Sequence, residues 1–231
     1  MASSMLDDIT IRNVALMELR EPIAVVGSPG LRSIGKLAVD KLIVQTKAEQ
    51  LADLYSTHLP TIYQTQPSYA ADPSLPGIGG AIIEDGNLDL PKVQFYASRE
   101  PPMIFARGYH ANFEGQFTVA KKTVDLLAEA GVRRMVVVAG FGTTEKKLCV
   151  AANTQALLDE MKTKWSLGTG YKGPFMGFSG LVFGLAKLRG IEAVCLFAGT
   201  QPVEEDLEYP DMEASDRAVE QLGKILGLKL P

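Results

Sequence analysis

Two stretches of the chain repeat one pattern. Gly131-Val-Arg-Arg-Met-Val-Val-Val-Ala-Gly140 matches Gly190-Ile-Glu-Ala-Val-Cys-Leu-Phe-Ala-Gly199 position by position. Each opens on a glycine suited to the left-handed residue that closes a helix. Each then runs through apolar residues and stops at a second glycine. Strands this apolar are usually covered on both faces, which points to a parallel sheet between helix layers. Two copies are too few for a solenoid. The pattern therefore reads as two helix-to-strand units feeding one sheet, and the expected fold is a three-layer α/β/α sandwich with a mostly parallel central sheet.

Other segments supply further pieces. Ile23–Val26 is a short apolar run ending at Gly27-Ser28-Pro29-Gly30, a buried strand before a turn. A helix should follow, with Ile34, Leu37, Ala38 and Leu42 at helical spacing and Ser33 as its N-cap. Strands are expected near Leu51–Ser56, Met103–Arg107 and Lys147–Ala152, and a helix over Thr154–Lys162. Phe113, Phe117, Ala120, Val124 and Leu127 form the apolar stripe of an amphipathic helix. Phe178–Arg189 is apolar almost all round, which predicts a deeply buried helix with Ser179 as its N-cap. Ala81–Glu84 and Leu88–Tyr96 flank Asp85-Gly86, a β-hairpin insertion with a type I′ turn. Pro91 restricts one of its strands to an edge. Residues 60–80 hold four prolines and three glycines and read as a long loop. Tyr209-Pro210-Asp211 opens a last helix to about Leu226. Residues 1–8 read as a flexible start and 9–231 as a single α/β domain.

The 231 residues are 46% apolar and 22% charged, which excludes a mostly disordered chain. A net charge of −4 argues against a generic nucleic-acid binder. The longest uncharged apolar stretch, Gly173–Ala186, is too short to span a membrane. The first residues lack the basic and apolar regions of a secretory signal. A cytoplasmic setting is expected, with Cys149 and Cys195 as buried free thiols. Two isolated histidines, His58 and His110, and no CxxC pair predict neither a metal site nor a cofactor.

Gly30-Leu-Arg-Ser-Ile-Gly35-Lys36-Leu37 matches G-x-x-x-x-G-K, but Leu37 stands where a P-loop needs a hydroxyl for magnesium. A glycine-rich packing turn is the plainer reading, with an anion site at the helix start near Arg32 and Lys36 as the intermediate one. Loops that follow the strands would ring a candidate ligand or anion pocket of Gly27, Gly30, Arg32, Ser33, Lys36, Gly140, Thr143 and Thr200. Gly177-Phe178-Ser179-Gly180 is no nucleophile elbow, because Leu181 replaces the last glycine. His110 reads as a surface-loop residue. Glu204–Asp216 carries seven acidic residues, Glu204 and Glu205 among them, which fits solubility and capping of the last helix. Nothing resembles a carboxylate pair poised for acid–base work, so no catalytic residue is assigned.

Several of these motifs, in this order, resemble the type-2 proteasome assembly chaperone family in its archaeal branch. They are the Gly27–Ile43 opening, Ala128-Glu-Ala-Gly-Val-Arg-Arg134 with its strand, Gly177–Ala193, and Tyr209-Pro210-Asp211 with the final helix. The resemblance spans roughly residues 20 to 228. It implies a phosphorylase/hydrolase-like α/β/α fold, homo-oligomers, and binding to proteasome α subunits or another assembly factor rather than catalysis. Tyr63, Tyr69, Leu226 and Leu230 are the candidate partner-binding residues. Two departures stand out. The chain ends Lys229-Leu230-Pro231 where α-ring-docking members carry hydrophobic-Tyr-any, so docking by that tail is not expected. Arg32-Ser33 replaces a more glycine-rich, apolar turn. The competing expectation is a small-molecule or nucleotide-binding enzyme of the same fold, of the ATP-grasp or phosphorylase kind. A closed pocket with converging polar groups would favour the enzyme; a shallow cleft filled by Arg32 or Phe141 would favour the chaperone.

Overall fold

The computed structural model describes residues 8–13, 15, 17–59, 82–201 and 209–228. In chain order these form β1 (Ile9–Asn13), β2 (Ile23–Gly27), a 3₁₀ turn (Leu31–Ser33), α1 (Ile34–Thr46), β3 (Glu49–Ser56), β4 (Ile82–Glu84), β5 (Asn87–Asp89), β6 (Val93–Ser98) and β7 (Met103–Arg107). There follow α2 (Gln116–Glu129), β8 (Arg134–Gly142), β9 (Leu148–Ala152), α3 (Gln155–Trp165), α4 (Gly177–Leu188), β10 (Glu192–Thr200) and α5 (Met212–Leu226).

Alternation along the strands divides the core in two. Ala24, Val26, Ile104, Ala106, Met135, Val137, Cys195 and Phe197 point to one face, where α2 and α4 cover them. Val25, Met103, Phe105, Val136, Val138, Val194 and Leu196 point to the other, under α1, α3 and α5. A period of two on strands buried on both sides gives the three-layer arrangement directly. The repeated units behave as expected: β8 and β10 lie side by side and parallel. Gly131 and Gly190 close the preceding helices with φ of +85° and +68°.

The sheet is mixed rather than mostly parallel. Its order is β1-β3-β6-β7-β2-β8-β10-β9. The three pairings among β7, β2, β8 and β10 are parallel, and the other four are antiparallel. The internal repeat reports only the centre. Outside it, β1, β3 and β6 form an antiparallel flank, and β9 lies antiparallel on the far side of β10, joined to it through α3 and α4. Among the antiparallel neighbours of this sheet only β6 and β7 are joined by a short turn.

Helix details refine the reading. Thr154 caps α3 by accepting from Leu157 N–H, and Asp211 caps α5 by accepting from Ala214 N–H. Ser33 does occupy the N-cap position of α1, but in a left-handed conformation (φ +53°) with no capping hydrogen bond from its hydroxyl. Ser179 is not a cap; it lies inside the first turn of α4, behind Met176. Nor is α4 deeply buried. Phe178, Val182 and Ala186 face the core, while Leu188 is 79% exposed. An outer-layer helix has a solvent side whatever its composition. In the stripe before and along α2, Phe113 packs from the preceding loop, whereas Phe117 is 54% exposed.

The hairpin forms around Asp85-Gly86, with φ of +50° and +77° as a type I′ turn requires. Its second strand stops at Asp89, before Pro91, and β6 is a separate strand of the main sheet. The expectations for residues 1–7, for the 60–80 loop and for Glu204 and Glu205 lie outside the described residues. No described helix is long and apolar enough to cross a membrane.

Candidate functional site

The carboxyl ends of β2, β8 and β10 are where an open α/β sheet presents its loops to ligands. The chain leaves β2 through Gly27-Ser28-Pro29-Gly30. A Cβ on Gly27 would stand 2.1 Å from Gly35 O, and one on Gly35 would stand 2.3 Å from Val138 O. The two glycines let α1 lie directly on β2 and β8. In this chain the second glycine of the G-x-x-x-x-G-K pattern is packing chemistry, and the lysine turns elsewhere. Lys36 Nζ is 2.6 Å from Asp40 Oδ2, and Asp40 also accepts from Arg107 at 2.9 Å.

Arg32, in a left-handed conformation (φ +50°), reaches across to the start of α5. Its Nε donates to Tyr209 O at 2.8 Å. One terminal nitrogen donates to Thr200 Oγ1 (3.2 Å), Gln201 O (3.0 Å) and Asp211 Oδ2 (3.3 Å). Thr200 Oγ1 donates to Asp211 Oδ2 at 2.5 Å. Burial pushes the Asp211 carboxyl up. The Thr200 hydroxyl, the Ala214 amide and the charges of Arg32 and Arg217 oppose it and hold the group below the usual carboxylate range. A polar cavity of about 260 Å³ lies here, lined by Arg32, Thr143, Thr200 and Arg217 among others. Among the described residues its three cations (Arg32, Lys146, Arg217) face three carboxylates (Glu145, Asp211, Glu213). Lys146 pairs with Glu213 at 2.8 Å, and Arg217 donates to Gly199 O at 2.8 Å.

The candidate pocket residues thus divide. Arg32, Thr143 and Thr200 share the polar cavity. Gly30 and Gly140 line a second, larger one. Gly27 is closed in by α1, Lys36 lines neither, and Ser33 Oγ is buried with no hydrogen-bond partner. Of the candidate partner-binding residues, Leu226 is half-buried against the core under α5. Tyr63, Tyr69 and Leu230 lie outside the described residues.

The larger cavity holds about 290 Å³ between the ends of β2 and β8 and the first turn of α4. Leu31, Val138, Tyr171, Phe175 and Met176 form its apolar wall. At its base the buried hydroxyls of Ser28 and Ser179 hydrogen-bond at 2.7 Å. Phe141, one of the two side chains whose filling of the cleft would have favoured the chaperone reading, packs edge-on against Tyr171 and Phe197 in the core.

His110 is not on the surface. It is 4% exposed, between Tyr109 and Phe113, with Nδ1 3.1 Å from Asn112 O and Nε2 without a partner. Burial lowers its pKa from 6.5 to about 4, against the smaller opposing pull of the Asn112 carbonyl, so it is neutral at pH 7. Cys149 and Cys195 are buried, and burial raises both thiols. No cluster of metal-ligating side chains occurs among the described residues.

One feature went unread in the sequence. In the β4–β5 hairpin, Ile83 and Leu88 are register partners at 75% and 68% exposure, with Leu90 at 47%. The hairpin pairs with no strand of the main sheet. The alternation of Ile83 and Leu88 with charged neighbours was the available signal, but it does not say whether an apolar face meets the core or the solvent.

A three-layer mixed sheet with short glycine-packed turns at its carboxyl edge is the framework of a known family. The chain belongs to the PAC2 family, whose model matches residues 24–231. It is 26% identical to Pyrococcus furiosus PbaB, an archaeal proteasome activator, with a TM-score of 0.79 over 97% of this chain and 91% of that one. Pyrococcus furiosus PbaA, an archaeal homolog of proteasome-assembly chaperone, shares the fold at 19% identity, with a TM-score of 0.72 over 96% and 88% of the two chains. An uncharacterized protein of Methanocaldococcus jannaschii is 27% identical over 189 residues, 79% of this chain and 67% of that one. The resemblance carried by Gly27–Ile43 and Gly177–Ala193 therefore extends over the chain.

Proposed function

We propose that this protein is a non-catalytic, cytoplasmic, partner-binding member of the PAC2 family that works as a homo-oligomer on proteasome α subunits or another assembly factor. The observation that carries the reading is the β4–β5 hairpin. A two-stranded hairpin alone in water is at best marginally stable. This one nevertheless holds Ile83, Leu88 and Leu90 toward solvent. Burying each such side chain in a partner is worth about 1.5–3 kcal/mol, and a few anchors of this kind can dominate an interface. The likeness to an archaeal proteasome activator supports the choice of partner. An enzyme reading has less support: Lys36 is spent on Asp40, and among the described residues the cations of the polar cavity face an equal number of carboxylates.

The test is co-migration of the purified protein with proteasome α subunits of the same organism in size-exclusion chromatography with light scattering. The native chain should run as an oligomer and shift with the α subunits. The double substitution Ile83→Asp, Leu88→Asp should abolish the shift while moving Tm by less than about 4 °C, because each surface change usually costs under about 0.5 kcal/mol. No complex with free or assembled α subunits would refute the proposal. A complex indifferent to the double substitution would remove the hairpin from it.

A further inference from the structure

Partner binding through the hairpin leaves the 290 Å³ cavity without a use. We propose that this cavity binds a small organic molecule with an apolar body and one carboxylate group. The inference does not depend on which macromolecule the protein binds.

Position comes first. The adjacent parallel strands β7 and β2 are followed by helices on opposite faces of the sheet, α2 on one and α1 on the other. Ligands of open α/β sheets sit in the crevice beyond such a reversal. The cavity lies there, touching Ser28 and Leu31 after β2, Ala111 and Asn112 after β7, and the end of β8. Its volume is at the lower end of ordinary ligand pockets, roughly 300–1,000 Å³, so the ligand is small. Tyr171, Phe175, Leu31 and Val138 ask for an apolar body.

The polar end of the ligand follows from proton accounting. Ser28 and Ser179 are 4% and 6% exposed, and both line the cavity. Each hydroxyl carries one proton and two lone pairs. Their mutual bond uses one proton. The other has no acceptor among the described residues, and a buried donor left unpaired is costly. A ligand oxygen would take it. The first turn of α4, whose Gly177 and Ser179 also line the cavity, has neither a side-chain cap nor an acidic residue, and of its amides Phe178 N–H donates to Ala111 O at 2.8 Å. That helix end carries about half a positive charge. Among the described residues no Lys, Arg, Asp or Glu lines the cavity. Half a charge and a hydroxyl suit one carboxylate. They leave a phosphate or a nucleotide, with two or more negative charges and a greater size, uncompensated. Gly30 is the open side of the site: a Cβ there meets nothing nearer than Ser28 O at 3.9 Å, whereas one on Gly35, Gly140 or Gly177 would strike neighbours within 2.8 Å.

The test is a thermal-shift and calorimetric titration of the full chain with benzoate and isovalerate, with benzamide, isovaleramide and inorganic phosphate as controls. A carboxylate at about 100 times its Kd should raise Tm by roughly 5–10 °C, with the amides and phosphate giving little. Ser179→Ala should weaken carboxylate binding about 10-fold or more, as loss of a hydrogen bond to a charged group does. Gly30→Val, whose Cβ stands 3.9 Å from its nearest neighbour, Ser28 O, should abolish it and leave Tm near that of the unliganded protein. Three results would overturn the proposal: no saturable effect of either carboxylate, equal effects of carboxylates and amides, or carboxylate binding that survives Gly30→Val.

Discussion

The carboxyl edge of the central strands and the β4–β5 hairpin solve opposite problems. At the edge, polar groups are drawn inward. Arg32 is consumed by Tyr209, Thr200, Gln201 and Asp211, and Lys36 by Asp40. At the hairpin, apolar groups are pushed outward, with Ile83 and Leu88 in water. A region that satisfies its own charges is built for stability. A region that leaves apolar surface uncovered is built for a second molecule. The contrast predicts that substitutions of the packing glycines and paired charges at the edge act on folding, while substitutions in the hairpin act on association.

The largest break in that contrast is Gly27→Ala. Its Cβ would be driven to 2.1 Å from a backbone oxygen and 2.9 Å from Val39, with α1 forced off β2. Overpacking against backbone should cost at least about 3 kcal/mol. For a chain of this size that lowers Tm by roughly 6–12 °C, measured by calorimetry beside the hairpin double variant. Equal melting of the two would erase the distinction.

His110 supplies the next test. It sits just past the end of β7, buried, with a pKa of about 4 against an ordinary 6.5. The unfolded chain therefore takes up a proton that the folded chain refuses. Its contribution to stability is complete above about pH 6.5 and is lost as pH falls toward 4. Between about pH 7.5 and 5 the loss should be about 2 kcal/mol. Urea unfolding across that range measures it. His110→Gln, which cannot take up the proton, should flatten the slope. A native slope that His110→Gln leaves unchanged would mean that this ring is solvated.

The sequence carried the centre of the fold better than its margins. The repeat at Gly131 and Gly190 locates β8 and β10, because strands covered on both faces must be apolar on both. It is silent about β1, β3, β6 and β9, whose direction depends on connection length and on which edge is free. Glycine spacing at Gly27, Gly30 and Gly35 marked the turn at the carboxyl edge, but a packing glycine and a phosphate-cradling glycine are the same letter. Direction of side chains was the missing quantity. Arg32 turned toward α5, Lys36 turned along its own helix, and His110 turned inward. None of these depends on local pattern. Ser28 and Ser179, 151 residues apart, meet only through the fold.

Asp211 carries the smallest and most selective effect. It caps α5 through Oδ1 and holds Thr200 and Arg32 through Oδ2, with its side chain 17% exposed. Asp211→Asn keeps an oxygen for the cap and removes the charge that faces Arg32 and Arg217. The cost at pH 7 should be about 1–2 kcal/mol, above that of an exposed ion pair because both partners are largely covered. The pH dependence has a definite sign. The folded carboxyl ionises below its unfolded value, so its stabilisation is present above about pH 4 and disappears as pH falls through the folded value. Native protein and Asp211→Asn should therefore converge in stability once the pH has fallen below the folded value of the carboxyl, and separate again by neutrality. A constant gap down to that pH would assign the loss to the cap alone and leave the charge on Arg32 without a structural role. Binding to α subunits should be the same for both proteins at pH 7, since the hairpin proposed to make that contact is a separate two-stranded sheet.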